Sequence, residues 1–325
     1  MAEARVVFVT SRHDSRIDSF VRRAPEGVQV TVVDRSTSPE RLAAALQEAD
    51  ALLVLGVPVP EAALRQARRL RLVQVVGEGY DRLPLDVIRE LGVPLCNAGG
   101  VLSTTVAEHA LMLMLATLRR MVPALEGLRR GQWRDDLAHH ELHELAGKTV
   151  GIVGLGNIGR RVARLLGAFD ASVIFHDILT FPEEVTAPLR ARPVPFEELL
   201  RTADIVTLHT PLTDTTRGMM GERQFALMKP TAILVNTSRG RVVQEEALVR
   251  ALQEGRLAGA GLDVFQEEPL PPDSPLLRME NVVCLPHLGG TAFEAWGRLA
   301  ERAWGNVAAL LEGRPLQAVV LPGRR

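Results

Sequence analysis

The run Val150-Gly151-Ile152-Val153-Gly154-Leu155-Gly156-Asn157-Ile158-Gly159 leaves this chain few ways to fold. An apolar stretch passes into G-x-G-x-x-G, which opens a helix-like segment, and a second apolar run, Ser172–His176, ends at Asp177. That acid lies 18 residues beyond Gly159, close to the roughly 20 expected of a dinucleotide-binding strand–helix–strand unit. The chemistry needs each part. Gly154 permits a tight turn, Gly156 lets backbone approach a pyrophosphate, and Gly159 lets helix and strand pack closely. The diphosphate then meets the N–H groups of the helix start, Asn157 and Ile158, where the helix dipole favours negative charge. Asp177 would accept hydrogen bonds from the adenosine ribose and repel a 2′-phosphate. Residues 178–180 are Ile, Leu and Thr, with no cation to offset that repulsion, so NAD is favoured over NADP.

The rest of the chain agrees with such a fold. Arg5–Thr10, Val28–Val33, Ala51–Leu55, Leu72–Val76 and Val93–Leu95 read as strands. Helices are predicted over Pro39–Ala49 and Pro60–Arg69, each opened by a proline suited to a first turn. Alternation of this kind implies a parallel sheet covered on both faces. Ser103–Met121 has neither Gly nor Pro and predicts one long helix. Beyond it, strands are expected at Thr149–Val153, Ser172–His176, Asp204–Leu208, Ala232–Asn236, Ala258–Asp263 and Asn281–Cys284. Helices are expected at Asn157–Phe169, Phe196–Arg201, Glu222–Met228 and Gln244–Glu254. The order is that of a six-stranded doubly wound sheet. A last long helix is predicted over Thr291–Leu311.

Composition narrows the function. The 325 residues suggest about two domains. With 38 basic and 39 acidic residues the formal net charge is −1, which argues against nucleic acid or an anionic membrane as the main partner. The longest greasy patch, Leu111–Ala116, is far short of the ~20 residues that span a bilayer. Met1-Ala2-Glu3-Ala4-Arg5 leads straight into a strand rather than a secretory signal. Cys96 and Cys284 form neither a C-x-x-C pair nor a disulfide framework. A reducing, cytoplasmic location is expected, and no metal site.

Further segments point to one family. They are Asn97-Ala98-Gly99-Gly100 leading to Val106-Ala107-Glu108-His109, Leu208-His209-Thr210-Pro211-Leu212-Thr213, and Asn236-Thr237-Ser238-Arg239-Gly240. Gly261-Leu262-Asp263-Val264-Phe265-Gln266-Glu267-Glu268-Pro269 and Pro286-His287-Leu288-Gly289-Gly290 follow. With the glycine fingerprint in mid-chain, residues 50 to 310 resemble the D-isomer-specific 2-hydroxyacid dehydrogenases, the phosphoglycerate dehydrogenases and glyoxylate/hydroxypyruvate reductases among them. The resemblance implies an α/β protein in which a Rossmann doubly wound parallel-sheet domain, 101–288, binds NAD. That domain would be inserted into a smaller flavodoxin-like α/β substrate domain made of 1–100 and 289–325, with the active site in the cleft between them. It also implies a homodimer paired through the cofactor domains, with the helix around 103–121 in the interface.

Oxidising a 2-hydroxy acid requires loss of a hydroxyl proton as the C2 hydride leaves for the nicotinamide; the reverse reduction needs a proton donor and a cation on the keto acid. Histidine suits the proton role, since its unperturbed pKa of ~6.5 lies near working pH. By resemblance that residue is His287. Glu268, immediately before the proline, would orient the ring and stabilise the imidazolium, while Glu267 reads as solvated. Arg239 would hold the substrate carboxylate and polarise the carbonyl with its planar fork. Asp263 would meet the nicotinamide end, Thr237 and Ser238 would add backbone contacts, and Thr210 and Pro211 would line the adenosine side. Arg239, His287 and Gly290 complete the implied cofactor contacts.

The loop Val76-Gly77-Glu78-Gly79-Tyr80-Asp81 resembles the family segment whose N–H groups grip the substrate carboxylate, an amide nest that two glycines make reachable. Glu78 and Gly79 would then touch substrate beside Arg239 and His287. An acid there departs from many relatives and disfavours phosphite; it is expected to face solvent or to meet a substrate hydroxyl or amine. Glyoxylate, hydroxypyruvate and 3-phosphoglycerate are candidate keto or hydroxy acids. The last is weakened because the first hundred residues hold no obvious phosphate clamp, although Arg12 and Arg82 are within possible reach. The alternative from another class is an NAD(H)-sensing corepressor-like binding protein with incidental dehydrogenase activity.

Overall fold

The computed structural model describes residues 4–11, 13–34, 36–134 and 141–323; Arg12 lies outside them. The chain divides into two compact units, Met1–Leu102 with Thr291–Arg325, and Ser103–Gly290.

In the first unit strands and helices alternate as β1 (Ala4–Val9), α1 (Ser15–Val21), β2 (Val28–Val33), α2 (Pro39–Gln47), β3 (Ala51–Val54), α3 (Glu61–Leu64), β4 (Leu72–Val75), α4 (Leu85–Leu91) and β5 (Leu95–Cys96). The strands stand in the order β2-β1-β3-β4-β5, all parallel, which is the order of flavodoxin-like sheets. Every residue of β3 and β4 is buried, as a central strand covered on both faces requires. Where Pro60–Arg69 predicts one helix, only Glu61–Leu64 is helical.

The second unit opens with α5 (Ser103–Leu118) and α6 (Met121–Arg129). The single helix predicted over Ser103–Met121 therefore breaks, because Arg120 turns left-handed at φ 48°. Next come β6 (Thr149–Val153), α7 (Asn157–Gly167), β7 (Ser172–His176), α8 (Glu183–Thr186), β8 (Ala191–Pro193), α9 (Phe196–Thr202), β9 (Ile205–Leu208), α10 (Glu222–Leu227), β10 (Ile233–Asn236), α11 (Glu245–Gln253), β11 (Gly259–Leu262) and β12 (Val282–Cys284). The sheet has seven strands rather than six, in the order β8-β7-β6-β9-β10-β11-β12. The added edge strand β8 is Ala-Arg-Pro, too short and polar to carry a period-2 signal. Two apolar clusters fill this unit: one includes Leu199, Phe225 and Leu248, the other Leu113, Val162 and Ile233.

The chain returns to the first unit as α12 (Phe293–Leu311) and β13 (Val319–Leu321), the latter antiparallel to β5. A buried amide network fastens α12 to the sheet. Gln74 Nε2 donates to Val75 O (2.8 Å) and Asn97 O (3.1 Å), and Asn306 Nδ2 donates to Gln74 Oε1 (2.7 Å). Because every buried amide here has a partner, the network specifies register instead of destabilising the core.

Candidate active site

In the second unit β10, β11 and β12 are parallel neighbours, with Asn236 opposite Leu262 and Leu262 opposite Cys284. The loops that leave their carboxyl ends carry Arg239, Glu268 and His287. Such ends are where open α/β sheets bind ligands.

The first loop is organised by Asn236, which is almost fully buried. Its Oδ1 accepts the Ser238 N–H (3.0 Å) and hydroxyl (2.8 Å), and its Nδ2 donates to Arg239 O (3.0 Å). Arg239 Nη1 donates to Ser238 O (2.7 Å), which steadies the guanidinium. A Cβ on Gly240 would overlap the Phe265 carbonyl, so this loop packs directly on the one that leads to Glu268. Arg241 Nε donates to Gln266 O (3.4 Å) in the same seam.

Glu268 Oε1 accepts the Phe265 N–H (3.2 Å), and Oε2 lies 3.0 Å from His287 Nδ1. The Glu268-Pro269 peptide is cis. The carboxylate is 18 % exposed and the imidazole 45 %, so the acid lies beneath a ring whose far edge is open. His287 takes a left-handed backbone, φ 54°, with its N–H donating to Asp263 O (2.9 Å). The structure thus joins His287 to Glu268 rather than to Glu267.

Asp263, expected at the nicotinamide end, has both oxygens turned to the same loop. Oδ1 accepts the Leu288 N–H (2.8 Å) and Oδ2 the Gly289 N–H (2.7 Å). His109 of α5 lies beside it, with Nε2 3.0 Å from Oδ1. Nothing in the spacing of residues 109 and 263 announces this pair.

The glycine fingerprint has the geometry a dinucleotide needs. Gly154 sits at φ +95°, and a Cβ there would stand 2.9 Å from His209 O; one on Gly159 would run into Gly154 O. A Cβ on Gly156 would meet no protein atom within 4 Å, which leaves open the space over the start of α7, Asn157 and Ile158. Thr210 Oγ1 and Thr237 Oγ1 are shielded from solvent yet find no hydrogen-bond partner among the described residues. Two such hydroxyls are unfavourable unless a ligand satisfies them. Pro211 follows Thr210 on one flank. Asp177 is half-buried; its Oδ2 accepts the Leu155 N–H (2.7 Å) and its Oδ1 the Leu179 N–H (2.9 Å). Each oxygen keeps a lone pair for a ribose hydroxyl. Replacing Asp177 by alanine is expected to shift the NAD-to-NADP ratio of kcat/KM toward NADP on the order of tenfold, the worth of one charged hydrogen bond. An unchanged ratio would detach this acid from the ribose.

His209 shares the segment with Thr210. Its Nε2 lies 2.9 Å from Thr207 Oγ1 and its Nδ1 is shielded without a partner. Burial pushes its pKa down to about 3. It is therefore neutral in the fold, whereas the unfolded chain takes up that proton below pH ~6.5. The unfolded state then binds more protons, so this residue lowers stability as pH falls from ~6.5 toward 3, by about 1.4 kcal/mol per unit. Urea midpoints for wild type and His209→Gln should converge or cross between pH 7 and 5; parallel lines would mean the imidazole titrates in the fold as freely as outside it.

In the first unit, Glu78 is half-buried instead of facing solvent. Its Oε1 accepts the Gly100 N–H (2.8 Å), and Asn97 Nδ2 donates to its backbone carbonyl (2.9 Å). The reason is local: Gly99 and Gly100 both turn left-handed, which presents an amide to the acid. Neither Gly77 nor Gly79 has φ above zero, so the loop lacks the left-handed step of the nest predicted from its glycines. Gly79 follows Glu78 in this first-unit loop.

Comparison with known proteins places these features. Residues 111–289 match the model of the D-isomer specific 2-hydroxyacid dehydrogenase NAD binding domain. The chain is 41 % identical to a glyoxylate reductase of Korarchaeum cryptofilum over 273 residues, 82 % of this chain and 81 % of that one. A glyoxylate reductase of Aeropyrum pernix is 42 % identical over 293 residues, 88 % and 87 % of the two chains. In fold it is similar to Rhodotorula graminis D-mandelate dehydrogenase, with a TM-score of 0.87 and 28 % identity over the whole of both chains.

Proposed function

Because the chain belongs to the D-isomer-specific 2-hydroxyacid dehydrogenase family and is an NAD-dependent enzyme of that class, we propose that it interconverts a small 2-oxo acid of the glyoxylate or hydroxypyruvate kind and the matching 2-hydroxy acid. The observation that carries this reading is the 3.0 Å pair of His287 Nδ1 and Glu268 Oε2 at the carboxyl edge of the dinucleotide sheet. Bound NAD(H) supplies or accepts the hydride at C2. His287 does the proton work: with Nδ1 turned to the carboxylate, Nε2 gives a proton to the keto oxygen or takes one from the hydroxyl. Glu268 fixes that tautomer and balances the imidazolium. Arg239, whose Nη1 donates to Ser238 O, holds the substrate carboxylate and polarises the reacting carbonyl through its guanidinium. Both relatives named above as glyoxylate reductases support the small acid.

The test is a panel of 2-oxo acids with NADH, followed by loss of nicotinamide absorbance. Saturable turnover of glyoxylate or hydroxypyruvate is expected, with bulkier acids slower. A protein that binds NADH and reduces none of them would overturn the assignment.

The same reading makes the protein a homodimer of the cytoplasm. Met112 of α5 and Met121, Leu125 and Leu128 of α6 are exposed, an apolar surface that a second copy would cover. Among the described residues no helix is long and apolar enough to cross a membrane. Cys96 and Cys284 are both free thiols, as a reducing compartment would leave them.

A further inference from the structure

Asp263 is only 1 % exposed, and a carboxylate buried so deeply is costly unless its lone pairs are met. Two are met by the Leu288 and Gly289 N–H groups, at 2.8 and 2.7 Å, while its carbonyl takes the His287 N–H. These three bonds hold His287 at φ 54°, a left-handed conformation that costs a non-glycine residue about 1 kcal/mol or more unless its surroundings enforce it. The turn therefore depends on where Asp263 points.

What fixes Asp263 on its other side is His109. Its side chain is 12 % exposed, and Nε2 lies 3.0 Å from Asp263 Oδ1. That nitrogen is shielded from solvent and, among the described residues, makes no hydrogen bond. The ring closes over the carboxylate from α5. Gly289 covers it from the loop, where a Cβ would come 2.8 Å from Asp263 Oδ2 and 3.5 Å from His109 Cδ2. Glycine at 289 and imidazole at 109 thus enclose one carboxylate between them.

We infer that His109 is a positioning residue for the proton-transfer histidine: it holds Asp263, and through Asp263 the left-handed turn that points the His287 ring at Glu268. Without the imidazole, the buried carboxylate loses its neighbour on Oδ1 and swings or hydrates, and the Leu288 and Gly289 bonds loosen with it. A displacement near 1 Å at an acid–base group can lower a rate about a hundredfold. The role assigned to His287 rests on the function proposed above.

The test compares His109→Asn, whose amide is too short to reach the carboxylate, with His109→Gln, whose amide nitrogen can occupy the Nε2 position. Both avoid the void an alanine would leave. In 15N-labelled apoprotein, the His287 ring resonances, assigned among eight histidines by their loss in His287→Ala, should move in His109→Asn and return in His109→Gln. In turnover, kcat should fall roughly tenfold to a hundredfold in His109→Asn with NADH affinity held within about threefold, and recover in His109→Gln. Unmoved resonances, or glutamine no better than asparagine, would overturn the inference. The resonances are read without cofactor or substrate. A wild-type protein that reduces no 2-oxo acid therefore defeats the proposed function alone.

Discussion

Replacing His287 with alanine should lower kcat for 2-oxo acid reduction on the order of a thousandfold while leaving the NADH dissociation constant nearly unchanged. General acid–base catalysis contributes about 10²–10⁴ in rate, and His287 presents an imidazole that is both paired with an acid and 45 % exposed at this sheet edge. Its Nδ1 is committed to Glu268 at 3.0 Å, so Nε2 is the atom left to exchange a proton. The ring makes no hydrogen bond to the glycine fingerprint, which is why binding and chemistry should separate. Stopped-flow turnover and NADH fluorescence titration on the same preparation give the two numbers. A variant that kept a tenth of the wild-type kcat, or lost both properties together, would take the proton role away from His287.

The second large effect divides two glycines that look alike in sequence. Gly156→Ala should fold with an unchanged Tm yet lose NADH affinity at least about thirtyfold. Its φ of −70° suits any residue, and its new methyl would meet no protein atom. The space it fills is where a pyrophosphate must approach backbone. Gly159→Ala should do the reverse first. Its methyl would collide with Gly154 O, and relieving that contact means moving α7 off β6. Overpacking of this kind costs about 1–3 kcal/mol, seen as a Tm several degrees lower, with loss of NADH binding as a consequence. Thermal scans with and without NADH distinguish the pair; equal Tm losses in both would show that the open space at Gly156 is not the diphosphate cradle.

Much of the fold was legible before any coordinates. β2, β6 and β7 begin and end where their apolar runs do, at Val28–Val33, Thr149–Val153 and Ser172–His176, because each run stops at a polar or glycine residue, Asp34, Gly154 and Asp177 in turn. β8 was not legible: Ala-Arg-Pro owes its strand geometry to pairing with β7, Ala191 against Val173. The break between α5 and α6 was hidden as well. Leu118 to Met121 has good helix formers throughout, and only the left-handed Arg120 ends the helix.

The candidate site divides along the same line. Sequence alone determined the glycine turn and the acid after it, because a missing Cβ and a polar strand end act on their immediate neighbours whatever the rest of the chain does. Tertiary structure decided which acid met which imidazole: Glu268 with His287 across 19 residues, His109 with Asp263 from a helix near the unit's start, and Glu78 with the Gly100 amide rather than with water. Those partnerships depend on strand order and on which helix covers which sheet end, and spacing along the chain carries no record of either.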